Sequence, residues 1–93
     1  MLDPGHGGID LGAVGKSGLQ EKDVALAFAK VFADKLTATG RYDVFLTRTD
    51  DTFLALGDRV TFAQSHHADL LLSIHANSYT SASVRGAAIY TLC

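Results

Sequence analysis

ADLLLSIHAN, residues 68–77, is the stretch on which the fold turns. Its apolar run at 70–74 is bounded by Asp69 on one side and by His75 and Asn77 on the other. A run of that length and composition reads as a strand buried on both sides, and such strands belong to parallel sheets covered by helices.

Upstream, the pattern alternates between helix and strand. In EKDVALAFAKVFADKL, residues 21–36, Val24, Ala27, Phe28, Val31 and Leu36 recur at helical spacing, and Gly40 supplies a stop. The run Tyr42–Leu46 reads as a strand, and LGDRVTFAQSHHA, residues 56–68, as a second helix with Leu56, Val60, Ala63 and His67 on one face. Downstream, GAAIYTL, residues 86–92, reads as a further strand. Met1 and Leu2 read as the tail of a strand begun earlier, and the apolar run into Cys93 as one cut short. The expected fold is therefore α/β: a three-layer arrangement with a mostly parallel or mixed sheet, helices on both faces, and truncation at both ends.

Composition narrows the function classes. Ninety-three residues form at most one domain, and 47% hydrophobic with 19% charged residues is globular composition. A net charge of −2 gives no electrostatic reason to expect nucleic acid. No apolar run approaches the ~20 residues needed to span a bilayer, and residues 1–8 carry neither the basic nor the apolar part of a secretory leader. With a single cysteine, Cys93, no internal disulfide can form.

The segment MLDPGHGG, residues 1–8, surrounds His6 with Gly5, Gly7 and Gly8, a pattern that favours close approach of a ligand over a packed core. DLGAVGKS, residues 10–17, ends like a phosphate loop, yet Asp10 stands where the first glycine must be, and a carboxylate there repels phosphate. GHGGID fails the dinucleotide pattern at the same residue. A metal fits better. Two histidines and one glutamate form a known catalytic zinc set, and His6, Glu21 and His75 supply it, with both histidines expected at the carboxyl edge of the sheet. Glu21 also has a metal-free reading as an acid in the first turn of a helix, favoured by the helix dipole. The adjacent His66 and His67 point to different faces of their helix and do not form a chelating pair. Arg48 and Arg59 are read as solvated or paired with Asp50, Asp51 and Asp58.

Taken together, LDPGHGGIDLGAVGKSGLQEKDVALAFAKVF, LTRTDD, LGDRVTFAQSHHADLLLSIHANS and GAAIYTL resemble, in order and across essentially the whole chain, the zinc-dependent N-acetylmuramoyl-L-alanine amidases of the amidase 3 family. The ending RGAAIYTL is most similar to the cell-separation amidases of Gram-negative bacteria. The resemblance implies that residues 1–93 are the N-terminal part of one zinc amidase catalytic domain, with Zn2+ held by His6, Glu21 and His75. It implies peptidoglycan as substrate, hydrolysis of the amide between N-acetylmuramic acid and L-alanine, and an extracytoplasmic, periplasmic location. An activator protein is a partner that the subfamily reading allows. Asp3 or Asp10 is expected to orient a ligand imidazole, as metal-bound histidines usually require, and Asn77 to bond substrate or the turn after His75. One departure matters. The family's general-base glutamate lies on a later strand, beyond Cys93, and Glu21 is the sole glutamate here, so no catalytic base is expected within the chain. The competing reading is a non-catalytic module that binds zinc or cell-wall glycopeptide.

Overall fold

The computed structural model describes residues 1–76 and 86–91. Four elements follow in chain order: β1 (Leu2–Pro4), α1 (Glu21–Ala38), α2 (Leu56–Ser65) and β2 (Leu72–Ile74). β1 and β2 pair in parallel, with Leu2 opposite Leu72, Asp3 opposite Ser73 and Pro4 opposite Ile74. Along the other edge of β1 the run 42–46 contributes a single parallel bridge, Leu2 to Leu46. The Leu2 amide donates to the Phe45 carbonyl at 2.8 Å, and the Thr47 amide to the Leu2 carbonyl at 3.0 Å.

This order decides where the helices lie. The chain leaves β1 through α1 to reach one neighbour, then crosses back over β1 through α2 to reach the other. Right-handed crossovers made in opposite directions place α1 and α2 on opposite faces of the sheet. Strand alternation agrees: Asp3 points toward α2, where Arg59 meets it at 2.7 Å, and Leu2 and Pro4 face the other way. The fold is α/β, a small parallel sheet carrying two helices.

α1 begins at Glu21 without a side-chain cap. Instead the loop before it satisfies its first amides: Glu21 donates to the Ala13 carbonyl at 2.8 Å and Lys22 to that of Leu11 at 3.1 Å. At the other end, Gly40 takes φ +70°, the left-handed conformation that closes many helices.

Several expectations need correction. α1 buries Ala25, Ala29 and Ala33, spaced four apart, together with Glu21 and Lys22. The larger apolar face expected to be core looks outward, with Phe28 58% and Val31 56% exposed. Alanine wins because a methyl lets the helix backbone approach β1 closely, at the cost of little apolar burial per residue. α2 likewise turns Arg59 and Ala63 inward and leaves Leu56 and Val60 exposed. β2 is half-buried rather than covered on both sides. The strand expected at 42–46 is reduced to its bridge, although Val44 and Leu46 alternate inward past an exposed Phe45. Residues 86–91 are not in a strand, and Leu92 lies outside the described residues. Among the described residues, no helix is long and apolar enough to cross a membrane.

Candidate metal centre

The crossover order makes the gap between β1 and β2 the point where successive connections diverge, and crevices at such points, beyond the carboxyl ends of the strands, bind ligands. His6 follows β1 and His75 follows β2, so both imidazoles reach that crevice, and the start of α1 adds Glu21 from the side. His6 Nε2 lies 3.0 Å from Glu21 Oε2, and His75 Nδ1 lies 2.9 Å from the same oxygen. The two rings meet edge to face at 5.1 Å between centroids. One donor atom from each residue falls within 4.8 Å of the others.

These residues fit a divalent ion. Two imidazole nitrogens and a carboxylate oxygen are the donor set of catalytic zinc sites, and ligands about 2.0–2.1 Å from a tetrahedral ion stand about 3.3 Å apart. The observed spacings need only small shifts to match. Glu21 is 7% exposed, and burial opposes its ionisation. Hydrogen bonds from the Ala13 amide at 3.0 Å and the Ala76 amide at 3.2 Å, together with the two imidazoles, outweigh that burial and hold its pKa below the ordinary value. The acid is thus held as a carboxylate, the form a metal requires.

Around the trio the structure separates residues that the sequence treated alike. Asp10 Oδ2 sits 2.8 Å from His6 Nδ1, leaving Nε2 turned toward Glu21, and this bond depresses the Asp10 pKa. Asp3 touches neither imidazole. Its carboxylate is bonded by Thr47 at 2.7 Å, Arg59 at 2.7 Å and Ser73 at 3.0 Å, so it organises strand ends instead. Asn77 lies outside the described residues. His66 and His67 sit at and beyond the end of α2, apart from the trio.

The glycines around His6 make room chiefly for the protein itself. A Cβ on Gly5 would stand 2.5 Å from His75 Cε1, and one on Gly12 would stand 2.6 Å from His6 Cδ2 and 2.8 Å from Glu21 Cβ. His6 itself takes φ +64°, a left-handed backbone uncommon outside glycine and one that marks functional loops.

Sequence reasoning missed Arg48 and Arg59, each 4% exposed. Arg59 pairs with Asp3 and donates to the carbonyls of Pro4 at 2.7 Å, His6 at 2.9 Å and Leu54 at 3.0 Å. Arg48 donates to Pro4 at 3.1 Å, Asp50 at 2.8 Å, and Gly5 and Lys22 at 2.9 Å each. Burial and the neighbouring Arg59 charge lower the pKa of Arg48 from its usual value. The available signal was a charge at position 59, one helical turn before Ala63 and so on the same face.

A family model described as N-acetylmuramoyl-L-alanine amidase, Amidase_3, matches residues 1–92. The chain is 53% identical over 92 residues to the N-acetylmuramoyl-L-alanine amidase AmiA of Salmonella typhimurium, covering 99% of this chain and 32% of that protein. It is 50% identical to AmiC of Neisseria meningitidis serogroup B, covering 99% of this chain and 22% of that one. Among solved structures, the catalytic domain of the amidase CwlV from Bacillus (Paenibacillus) polymyxa superposes with a TM-score of 0.83 at 44% identity, over 89% of this chain and 47% of that one. The amidase of Clostridium difficile 630 gives 0.81 at 41% identity, over 90% and 46%. The chain therefore spans about a third or less of these curated relatives and somewhat under half of the solved chains. A match running from the strand before His6 to beyond His75 leaves one conclusion: the chain belongs to the N-acetylmuramoyl-L-alanine amidase family, Amidase_3.

Proposed function

We propose that residues 1–93 are the metal-holding part of a zinc-dependent peptidoglycan hydrolase that cleaves the amide between N-acetylmuramic acid and the L-alanine of the stem peptide, outside the cytoplasm. The observation that carries this reading is the convergence of His6, Glu21 and His75 at the carboxyl ends of two parallel strands. Bound there, zinc supplies Lewis acidity, polarising an amide carbonyl and making water nucleophilic at neutral pH.

This chain's own residues prepare that chemistry. Asp10 holds the His6 ring through Nδ1 and thereby fixes Nε2 as the inward nitrogen. The Ala13 and Ala76 amides hold Glu21 ionised and aimed between the imidazoles. Glu21 is the sole glutamate and both its oxygens are engaged in this way, so it is not free to relay a proton. The general base is proposed to be a glutamate supplied from beyond Cys93, and residues 1–93 alone to be inactive.

Elemental analysis of the purified chain tests the metal. One zinc per chain, absent from Glu21→Ala while circular dichroism shows both folded, is the expected result; a folded wild-type chain without zinc overturns it. For the reaction, the full gene product is incubated with purified peptidoglycan. New amino-terminal alanine without new reducing ends is expected. Zinc bound with no alanine released would replace the enzyme by a non-catalytic zinc- or cell-wall-binding module.

A further inference from the structure

We infer that Arg48 is a positioning residue for the metal centre, its guanidinium setting the spacing between the loop that carries His6 and the helix start that carries Glu21. This rests on the reading of His6, Glu21 and His75 as zinc ligands.

Arg48 is buried, yet among the described residues no carboxylate oxygen bonds it; its acceptors there are the carbonyls of Pro4, Gly5, Lys22 and Asp50. It also shares the Pro4 carbonyl with Arg59, so two like charges are buried side by side. An apolar residue of similar volume would fill this space without the desolvation penalty of a buried charge. Space-filling is therefore a poor account of the arginine.

What a guanidinium offers is a rigid planar fork, and here the fork spans the site. Nη2 donates to the Gly5 carbonyl and to the Lys22 carbonyl, each at 2.9 Å. Gly5 directly precedes His6, and Lys22 directly follows Glu21. One nitrogen thus links two backbone atoms, each one residue from a ligand. Nε on Pro4 at 3.1 Å and Nη1 on Asp50 at 2.8 Å stop the plane from rotating. Arg59 beside it holds the His6 carbonyl at 2.9 Å, so the left-handed His6 residue has its own carbonyl and that of Gly5 before it both held by a guanidinium. Lysine keeps the charge of Arg48 but cannot present these donors in one plane.

Zinc affinity is measured by competition with a chromophoric chelator, and ligand geometry by the visible absorption bands of the cobalt(II)-loaded chain. Arg48→Lys is expected to bind zinc about 10–100-fold more weakly, the range found when residues supporting metal ligands are changed, and to shift the cobalt bands. Ala29→Gly loosens α1 away from the centre, and is expected to lower the unfolding temperature while leaving the bands unchanged. Arg48→Gln is measured alongside, and the bands of whichever variant folds with metal decide. Wild-type affinity and bands in an Arg48 variant overturn the proposal, as does a chain that folds under neither substitution, since the arginine then serves folding alone. Wild-type zinc binding in Glu21→Ala would instead overturn the zinc reading beneath it.

Discussion

Asp3, inside β1, and Asp10, in the loop that follows, lie seven residues apart and serve different ends. Asp10→Ala removes the partner of His6 Nδ1 and is expected to weaken zinc binding about 10–100-fold with little change in unfolding temperature. Asp3→Ala leaves Arg59 buried without its carboxylate, which costs about 3–5 kcal/mol and is to be read by thermal unfolding of the metal-free chain. Unchanged zinc affinity in Asp10→Ala would remove the idea that an aspartate supports the site. The trio proposed as ligands stood out in the sequence because histidines at strand ends and a glutamate at a helix start are distinctive residue types in placeable positions, and the structure brings the three side chains together. Arg48 and Arg59 were not, because their acceptors are mostly main-chain carbonyls, which every residue has and no pattern advertises.

At the scale of elements, α1 shows how size competes with hydropathy. Periodicity favoured Val24, Phe28 and Val31, the large side chains, whereas close approach to β1 selected Ala25, Ala29 and Ala33. Ala29→Leu is accordingly expected to destabilise by about 1–3 kcal/mol through overpacking, and Phe28→Ser to change stability by at most about 0.5 kcal/mol, both read by urea unfolding. The two helices and the parallel pairing were nonetheless placed correctly in order, because apolar runs and glycine stops survive an error about which face is buried. A second link joins α1 to the loop after the run 42–46: Lys22 Nζ meets Asp51 at 2.7 Å, and Asp51 also accepts from the Gly8 amide at 2.7 Å. The Lys22 hydrogen bond, then that of Gly8, holds the Asp51 pKa below its ordinary value. A group with a depressed folded pKa stabilises above its unfolded pKa, and that contribution fades as pH falls through the folded value. The unfolding-temperature gap between wild type and Asp51→Asn should therefore be present at pH 7 and shrink below about pH 4.

Across the whole molecule, little large apolar surface is buried: Leu2, Pro4, Ala25, Ala29, Ala33 and Ala63 form the buried apolar set among the described residues. Polar groups compensate, and every buried side-chain nitrogen and oxygen among those residues has a partner. A molecule held this way gains much from the zinc proposed above. Zinc present at about 100 times its dissociation constant adds about 2.7 kcal/mol, so a strong chelator should lower the unfolding temperature of wild type but not of Glu21→Ala. The parallel pairing of Asp3 with Ser73 also carries a kinetic meaning, because it joins residues 70 apart. Closing so long a loop costs about 4 kcal/mol of chain entropy before any contact rewards it. Such non-local pairing slows folding. His6 and His75 meet only once that closure has happened, so zinc uptake by the unfolded chain should follow the refolding rate and not the zinc concentration, which makes the ion a clock for the last step of folding.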